Sequence, residues 1–130
     1  MRVLHVDDDH LMRELVKISM GHCGACEVFS FESGSAALDH LRTNTVDLII
    51  SDVMMPQMNG VQFVSAVREQ GLSQAPVVFL TSGFDLKNTA LKALDPVAIL
   101  AKPFDPFGLP GEICRHLANA AVERPCMALA

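Results

Sequence analysis

Leu48-Ile49-Ile50-Ser51-Asp52 sets three large apolar residues in a row, two of them β-branched, and closes them with a hydroxyl and a carboxylate. A short continuous apolar run of this kind is how a strand covered on both faces of a parallel sheet reads. Working outward, four more runs resemble it. Val77-Val78-Phe79-Leu80 leads into Thr81-Ser82, Val3-Leu4-His5-Val6 into Asp7-Asp8-Asp9, and Val97-Ala98-Ile99-Leu100 into Ala101-Lys102-Pro103. The fifth, Val28-Phe29-Ser30-Phe31, alternates more and is preceded by Glu27, which suits a sheet edge.

Helical patterns separate these strands. His10 to Met20 carries Leu11, Leu15 and Ile18 on one stripe, expected to face the core, with Arg13, Glu14 and Lys17 off it and Asp9 as cap. Ser35 to Leu41 forms a second helix. Asn59-Gly60-Val61-Gln62 spells a capping box before Phe63, Val64 and Val67. Asp85 opens a short fourth helix to Leu94. Asp105-Pro106 opens the fifth by the cap-then-proline rule, with Pro110 disturbing its first turns. Five βα units predict an α/β fold with a five-stranded parallel sheet, doubly wound, with right-handed crossovers and helices on both faces.

The composition limits the function. With 130 residues, 10 basic and 15 acidic side chains and a net charge of −5, the chain fits one domain and offers no clustered positive surface for nucleic acid. No apolar run approaches the roughly 20 residues of a spanning helix, and Met1-Arg2-Val3-Leu4 runs into an acidic triplet rather than a signal-peptide core. A cytoplasmic location with no membrane contact and reduced thiols is the expectation. Residues 1–121 read as the domain and 122–130 as a C-terminal tail.

In open parallel sheets, ligands bind beyond the carboxyl ends of the strands. There the sequence delivers Asp7 and Asp8, Asp52, Thr81 and Lys102 from four distant segments. Carboxylates brought together need a cation between them, and Mg²⁺ favours one or two carboxylates completed by water and phosphate oxygens. A carboxylate beside such an ion, with an ammonium and a hydroxyl nearby, is equipped to attack phosphorus and become an acyl phosphate.

Val6-Asp7-Asp8, Asp52-Val53-Met54-Met55-Pro56 followed by Asn59-Gly60, Thr81-Ser82 and Lys102-Pro103-Phe104 together resemble the receiver domain of bacterial two-component response regulators, in the stand-alone form of the chemotaxis regulators. That resemblance implies a flavodoxin-like strand order of 2-1-3-4-5 with five helices. It implies Asp52 as phosphoacceptor and Asp8 and Asp52 as Mg²⁺ ligands, with Asp7 acting through water and Met54 through its backbone carbonyl. Thr81 and Lys102 would bind the phosphoryl group, and a cis Lys102–Pro103 bond would aim the lysine inward. The implied partners are a histidine kinase or histidine phosphotransfer protein and a downstream protein target, reached through helix four, strand five and helix five. Ile99 stands where the family commonly has Tyr or Phe, so an aromatic switch is not expected. Ser82 is small and would leave the phosphoryl group accessible.

Other patterns carry other chemistry. Cys23-Gly24-Ala25-Cys26 is a CxxC, with His22, Cys114 and His116 as conceivable further ligands, but it follows a helix instead of opening one and reads as a helix-end turn. His5 reads as a packed strand residue. Met54, Met55 and Met58 read as an exposed loop or as adaptable packing. Two alternatives to phosphoacceptance are a phosphorylation-independent interaction module and a phosphohydrolase using Asp52. The latter would need a general acid two residues on, where Met54 stands.

Overall fold

Alternation along each strand divides the core into two layers. In the computed structural model, which describes residues 1–22, 26–81 and 89–120, five parallel strands lie in the order β2-β1-β3-β4-β5. They are β1 (Arg2–Val6), β2 (Glu27–Phe31), β3 (Leu48–Asp52), β4 (Val77–Thr81) and β5 (Ala98–Ala101), alternating with α1 (His10–Gly21), α2 (Gly34–Leu41), α3 (Gly60–Glu69), α4 (Thr89–Ala93) and α5 (Leu109–Asn119). Leu4, Val6, Ile49, Val77 and Phe79 pack against α2, α3 and α4 through Leu38, Phe63, Val64 and Leu91. The intervening Val3, Leu48, Ile50, Val78 and Leu80 pack against α1 and α5 through Val16, Met20, Ile113 and Leu117. Successive side chains point to opposite faces, so a strand must be apolar throughout to serve both layers. β3 and β4 are buried along their whole lengths.

The parallel order is the doubly wound α/β arrangement expected, with β2 at an edge. Two expected helix starts hold as capping geometry, at Asp9 and Asn59, and α2, expected from Ser35, starts at Gly34 behind a cap at Ser33. Asp9 accepts from the Leu11 N–H (2.9 Å), Ser33 from that of Ala36 (3.2 Å), and Asn59 and Gln62 exchange both bonds of a capping box.

Other expectations are corrected. α1 buries Met12 in part and Val16, Ser19 and Met20 fully, whereas Leu11 and Ile18 are 76% and 59% exposed. The stripe read as core-facing therefore points outward. Two stripes at helical spacing are interleaved on α1, and the rotation is chosen by the turn before it: the Asp9 cap and a bond from Arg13 Nη1 to the Asp7 carbonyl oxygen (2.8 Å) turn Arg13 inward. α5 begins at Leu109, not Asp105. The Asp105 carbonyl closes a turn by accepting from Gly108 and Leu109, and Pro110 falls in the first helical turn, where a missing N–H costs nothing. Met55 is buried and Met58 packs on the core, so of the three methionines Met54 alone is exposed. Asp85, Ser82 and Cys23 lie outside the described residues. Cys26 and Cys114 are half-buried. Among the described residues no helix is long and apolar enough to cross a membrane.

His5 is fully buried in β1, and neither ring nitrogen has a hydrogen-bond partner among the described residues. Its register neighbour Ser30 carries a second buried, unbonded oxygen. Burial, with the charges of Lys102 and Arg13 adding to it, pushes the imidazole pKa down to about 3. The unfolded chain thus binds a proton near pH 6.5 that the folded chain refuses until about pH 3. Stability linked to His5 is complete above pH 6.5 and declines as pH falls, by about 1.4 kcal/mol per unit. Urea titrations at pH 7.5 and pH 5 should therefore show wild type losing about 2 kcal/mol more than His5→Leu. Parallel losses in the two proteins would remove His5 as the cause.

Candidate functional site

A parallel sheet brings all its strand ends to one edge, and here polar residues stand at the ends of four strands. Asp7 follows β1, and its N–H donates to the Phe31 carbonyl (3.0 Å). Its Oδ1 accepts from the Asp9 N–H (2.9 Å), so backbone on both sides fixes the carboxylate. Asp52 is the last residue of β3 and Thr81 the last of β4. Lys102 follows β5. Its backbone N–H donates to the Thr81 carbonyl (2.8 Å), and the Lys102–Pro103 peptide is cis, as anticipated.

The lysine closes the cluster. Nζ donates to Asp52 Oδ1 at 2.8 Å and to Asp7 Oδ2 at 3.3 Å. The Asp7 and Asp52 side chains are only 1% and 8% exposed, and that of Lys102 is 23% exposed. Carboxylate oxygens of Asp7, Asp8 and Asp52 lie within 4.8 Å of one another, with Asp8 at the solvent side.

The titration behaviour follows from this crowding. Burial pushes the Asp52 carboxyl above its ordinary range, the Lys102 bond opposes that, and the Asp7 charge adds to it. Asp7 is also raised, first by burial and then by Asp8, against the Asp9 N–H and Lys102. Burial alone would lower the Lys102 ammonium, but its bond and charge pairing with Asp52, and then Asp7, outweigh burial and hold it above its ordinary value. Three carboxylates against one ammonium leave −3 + 1 = −2. Oxygen-only donors, one of them open to solvent, and a residual charge of −2 suit a hard divalent cation that keeps several waters.

The structure thus brings together Asp7, Asp8, Asp52 and Lys102. Thr81 is buried at the adjacent strand end, in register with Ala101. Met54 lies two residues past Asp52 with its side chain in solvent. Two contributors escaped the sequence reading. Arg13 holds the Asp7 carbonyl from α1, six residues on, a spacing that signals nothing by itself. Gly60 presses on the Asp52 backbone: a Cβ there would sit 2.3 Å from the Asp52 carbonyl oxygen. Its N–H donates to the Val53 carbonyl (2.8 Å). The sequence placed it in a capping box and in the receiver-like motif after Asp52, without showing this close approach.

The response regulator receiver domain family matches residues 3–113, and the chain belongs to that family of two-component signalling domains. A receiver is a signalling domain rather than a classical enzyme, and this one carries the clustered acidic site typical of phospho-accepting regulators. Among curated proteins, the chain is 38% identical to response regulator Rre1 of Synechocystis over 119 residues, which are 90% of this chain and 52% of that protein. It is 36% identical to a chemotaxis protein CheY homolog of Campylobacter jejuni over 110 residues, 82% of this chain and 84% of the relative. The chain spans 52% and 57% of the length of Rre1 and of the Helicobacter pylori transcriptional regulatory protein CrdR, about half of each. Among solved structures, chemotaxis response regulator CheY4 of Vibrio cholerae superposes with a TM-score of 0.80 at 36% identity, covering 89% of this chain and 98% of that one.

Proposed function

We propose that this chain accepts a phosphoryl group on Asp52 from a phosphohistidine donor, a histidine kinase or histidine phosphotransfer protein, in a Mg²⁺-dependent reaction. The observation that carries the reading is the Lys102 ammonium bridging Asp52 and Asp7 beside the exposed Asp8. In this reading an Asp52 carboxylate oxygen attacks phosphorus, a P–O bond forms as the donor's P–N bond breaks, and the electron pair returns to the imidazole. Asp8, Asp52 and the Met54 carbonyl would hold Mg²⁺, with Asp7 in contact through water. Bound there, the ion would offset charge on the phosphoryl oxygens. Lys102 exchanges part of its pairing with Asp52 for a phosphoryl oxygen, and the Thr81 hydroxyl, one strand away, donates to another.

The output face comprises α4, β5 and α5. Ile99 lies in β5 in register with Phe79 and packs on the core beneath the α2–α4 layer. With no ring to swing, coupling would run through Thr81 and the Lys102 N–H bonded to its carbonyl. A cytoplasmic location follows from such a donor, and residues 1–121 would form the working unit.

Acetyl phosphate, or a purified kinase, supplies the test. Wild type should take up label only with Mg²⁺, and Asp52→Asn should take up none above about 1% of that amount, since an amide is not a competent nucleophile here. Labelling of Asp52→Asn at the wild-type rate would overturn the assignment. Failure of wild type to bind beryllofluoride with Mg²⁺ would favour an interaction module that works without phosphate.

A further inference from the structure

Every polar group of Asp7 is held. Its N–H donates to the Phe31 carbonyl (3.0 Å), Oδ1 accepts from the Asp9 N–H (2.9 Å), Oδ2 accepts from Lys102 Nζ (3.3 Å), and the carbonyl oxygen accepts from Arg13 Nη1 (2.8 Å). The sheet, the turn before α1 and the acidic pocket account for the first three partners. The fourth lies outside that scheme. Arg13, half-buried, reaches back six residues over the first turn of α1 to bond a neutral carbonyl, with its Nη2 3.5 Å from His10 Nδ1. Lys102 is the cation that bears on the Asp7 and Asp52 carboxyls. Arg13 therefore bears on the site through backbone geometry.

The bonded oxygen belongs to the peptide that joins Asp7 to Asp8. That unit is planar, so the oxygen, the Asp8 nitrogen and the Asp8 Cα turn together. On the far side, the Asp9 N–H is tied to Asp7 Oδ1, so the backbone is clamped both before and after Asp8. Asp8 itself is exposed, and an oxygen of its carboxylate lies within 4.8 Å of one from Asp7 and one from Asp52. An exposed carboxylate takes its aim from the backbone that carries it. The bond from a guanidinium is charge-assisted, the stronger kind of tether.

We propose that Arg13 is a positioning residue for Mg²⁺: through the Asp7 carbonyl it holds the Asp8 carboxylate toward Asp52, so that one ion can take both. The inference rests on the Mg²⁺-dependent reading of the site given above. It is separated from a charge effect by sign. A fixed cation repels an entering cation, so loss of the Arg13 charge alone would tighten Mg²⁺ binding, whereas loss of the Asp8 position weakens it. Groups that orient the ligands of a metal commonly carry about 10- to 100-fold in affinity, more than one half-exposed charge contributes in surroundings open to water. The positional effect should win.

Titration of the full chain with Mg²⁺ alone, followed by backbone amide shifts in NMR spectra, tests this without a phosphoryl donor. Arg13→Met keeps the apolar stem and loses the charge and the donors, and its Kd for Mg²⁺ should rise about 10-fold. Arg13→Lys, which can still offer the carbonyl one charged donor, should return to within about 3-fold of wild type. With acetyl phosphate, the Mg²⁺ concentration giving half the maximal labelling rate should rise in parallel for Arg13→Met, while the rate at saturating Mg²⁺ should fall by less than about 3-fold, because Asp52 and Lys102 stay in place. A role confined to fastening α1 would lower the melting temperature and leave the Kd where it was. Should Arg13→Met fail to fold, Arg13→Gln, neutral and too short to reach, carries the same comparison. An unchanged or lower Kd in the neutral variant, or no recovery in Arg13→Lys, would overturn the proposal. A wild type that binds no Mg²⁺ and takes up no label would sink the reading of the site and this inference together. A wild type that binds and is labelled, beside a neutral variant of equal Kd, would sink this inference alone.

Discussion

Lys102→Ala should lose two properties at once: about 3 kcal/mol of folding stability at neutral pH and all but roughly 1% of phosphoryl uptake. The first follows from the position of the ammonium between two carboxylates. It lies 2.8 Å from Asp52 and 3.3 Å from Asp7, whose side chains are almost wholly screened from water. Removing one member of a buried ion cluster leaves the others without compensation, a larger effect than the cluster's own net contribution. The melting temperature should drop by about 10 °C for a domain of this size. Added Mg²⁺ should return more stability to the variant than it gives wild type, because the ion would enter a site with one more uncompensated negative charge. Uptake should not return with the ion, since the donor that meets the phosphoryl oxygens would still be missing. Lys102→Arg separates the two roles. Its charge should recover most of the stability, while its planar fork, unlike the compact ammonium, should leave uptake low. Wild-type uptake by Lys102→Ala would exclude the lysine from phosphoryl binding and leave it a purely structural cation.

The ease of seeing this lysine in the sequence contrasts with the difficulty of seeing what surrounds it. Leu48–Ile50 and Val77–Leu80 declare themselves as inner strands because serving both layers leaves no position free to be polar, and the structure buries every one of those residues. Once the strands are placed, parallel topology sends their ends to one edge, so Asp7, Asp52 and Lys102 could be gathered without knowing any distance. The rotation of α1 was not legible in that way. Leu11, Leu15 and Ile18 form one stripe at helical spacing, and Met12, Val16, Ser19 and Met20 form another. Periodicity alone cannot rank the two; the cap at Asp9 and the Arg13 bond to Asp7 do so. The start of α5 was missed for a related reason. Asp105-Pro106 has the composition of a helix start, but the Asp105 carboxylate and carbonyl are used to close a turn onto Phe107, Gly108 and Leu109. Local signals were right about the chemistry of each residue and silent about which of two compatible partners it takes.

Gly60→Ala should be the most damaging of the small substitutions. A methyl group at Gly60 would lie 2.3 Å from the Asp52 carbonyl oxygen, 3.0 Å from Val53 Cα and 3.2 Å from the Asp52 carbonyl carbon, all main-chain atoms that no rotamer change can move aside. Relief requires the β3–α3 connection to open, stretching the Gly60 N–H bond to the Val53 carbonyl, now 2.8 Å. Overpacking of a tight interior costs about 1–3 kcal/mol, and contact with three atoms of the rigid Asp52–Val53 peptide places this case at the upper end. The functional loss should be larger in proportion. The displaced segment carries both Asp52 and the Met54 carbonyl, and a misplacement of about 1 Å in a reacting group is enough for about 100-fold in rate. Gly111→Ala is the matched control. It sits in α5 with nothing within 4 Å of the added carbon, so it should stabilise by about 0.5–1 kcal/mol through helix propensity and leave uptake unchanged. Thermal melts together with acetyl phosphate labelling of both variants measure the contrast. A Gly60→Ala protein as stable and as readily labelled as wild type would show that the β3–α3 turn yields without disturbing Asp52, and the close approach of Gly60 would then carry no role in positioning it.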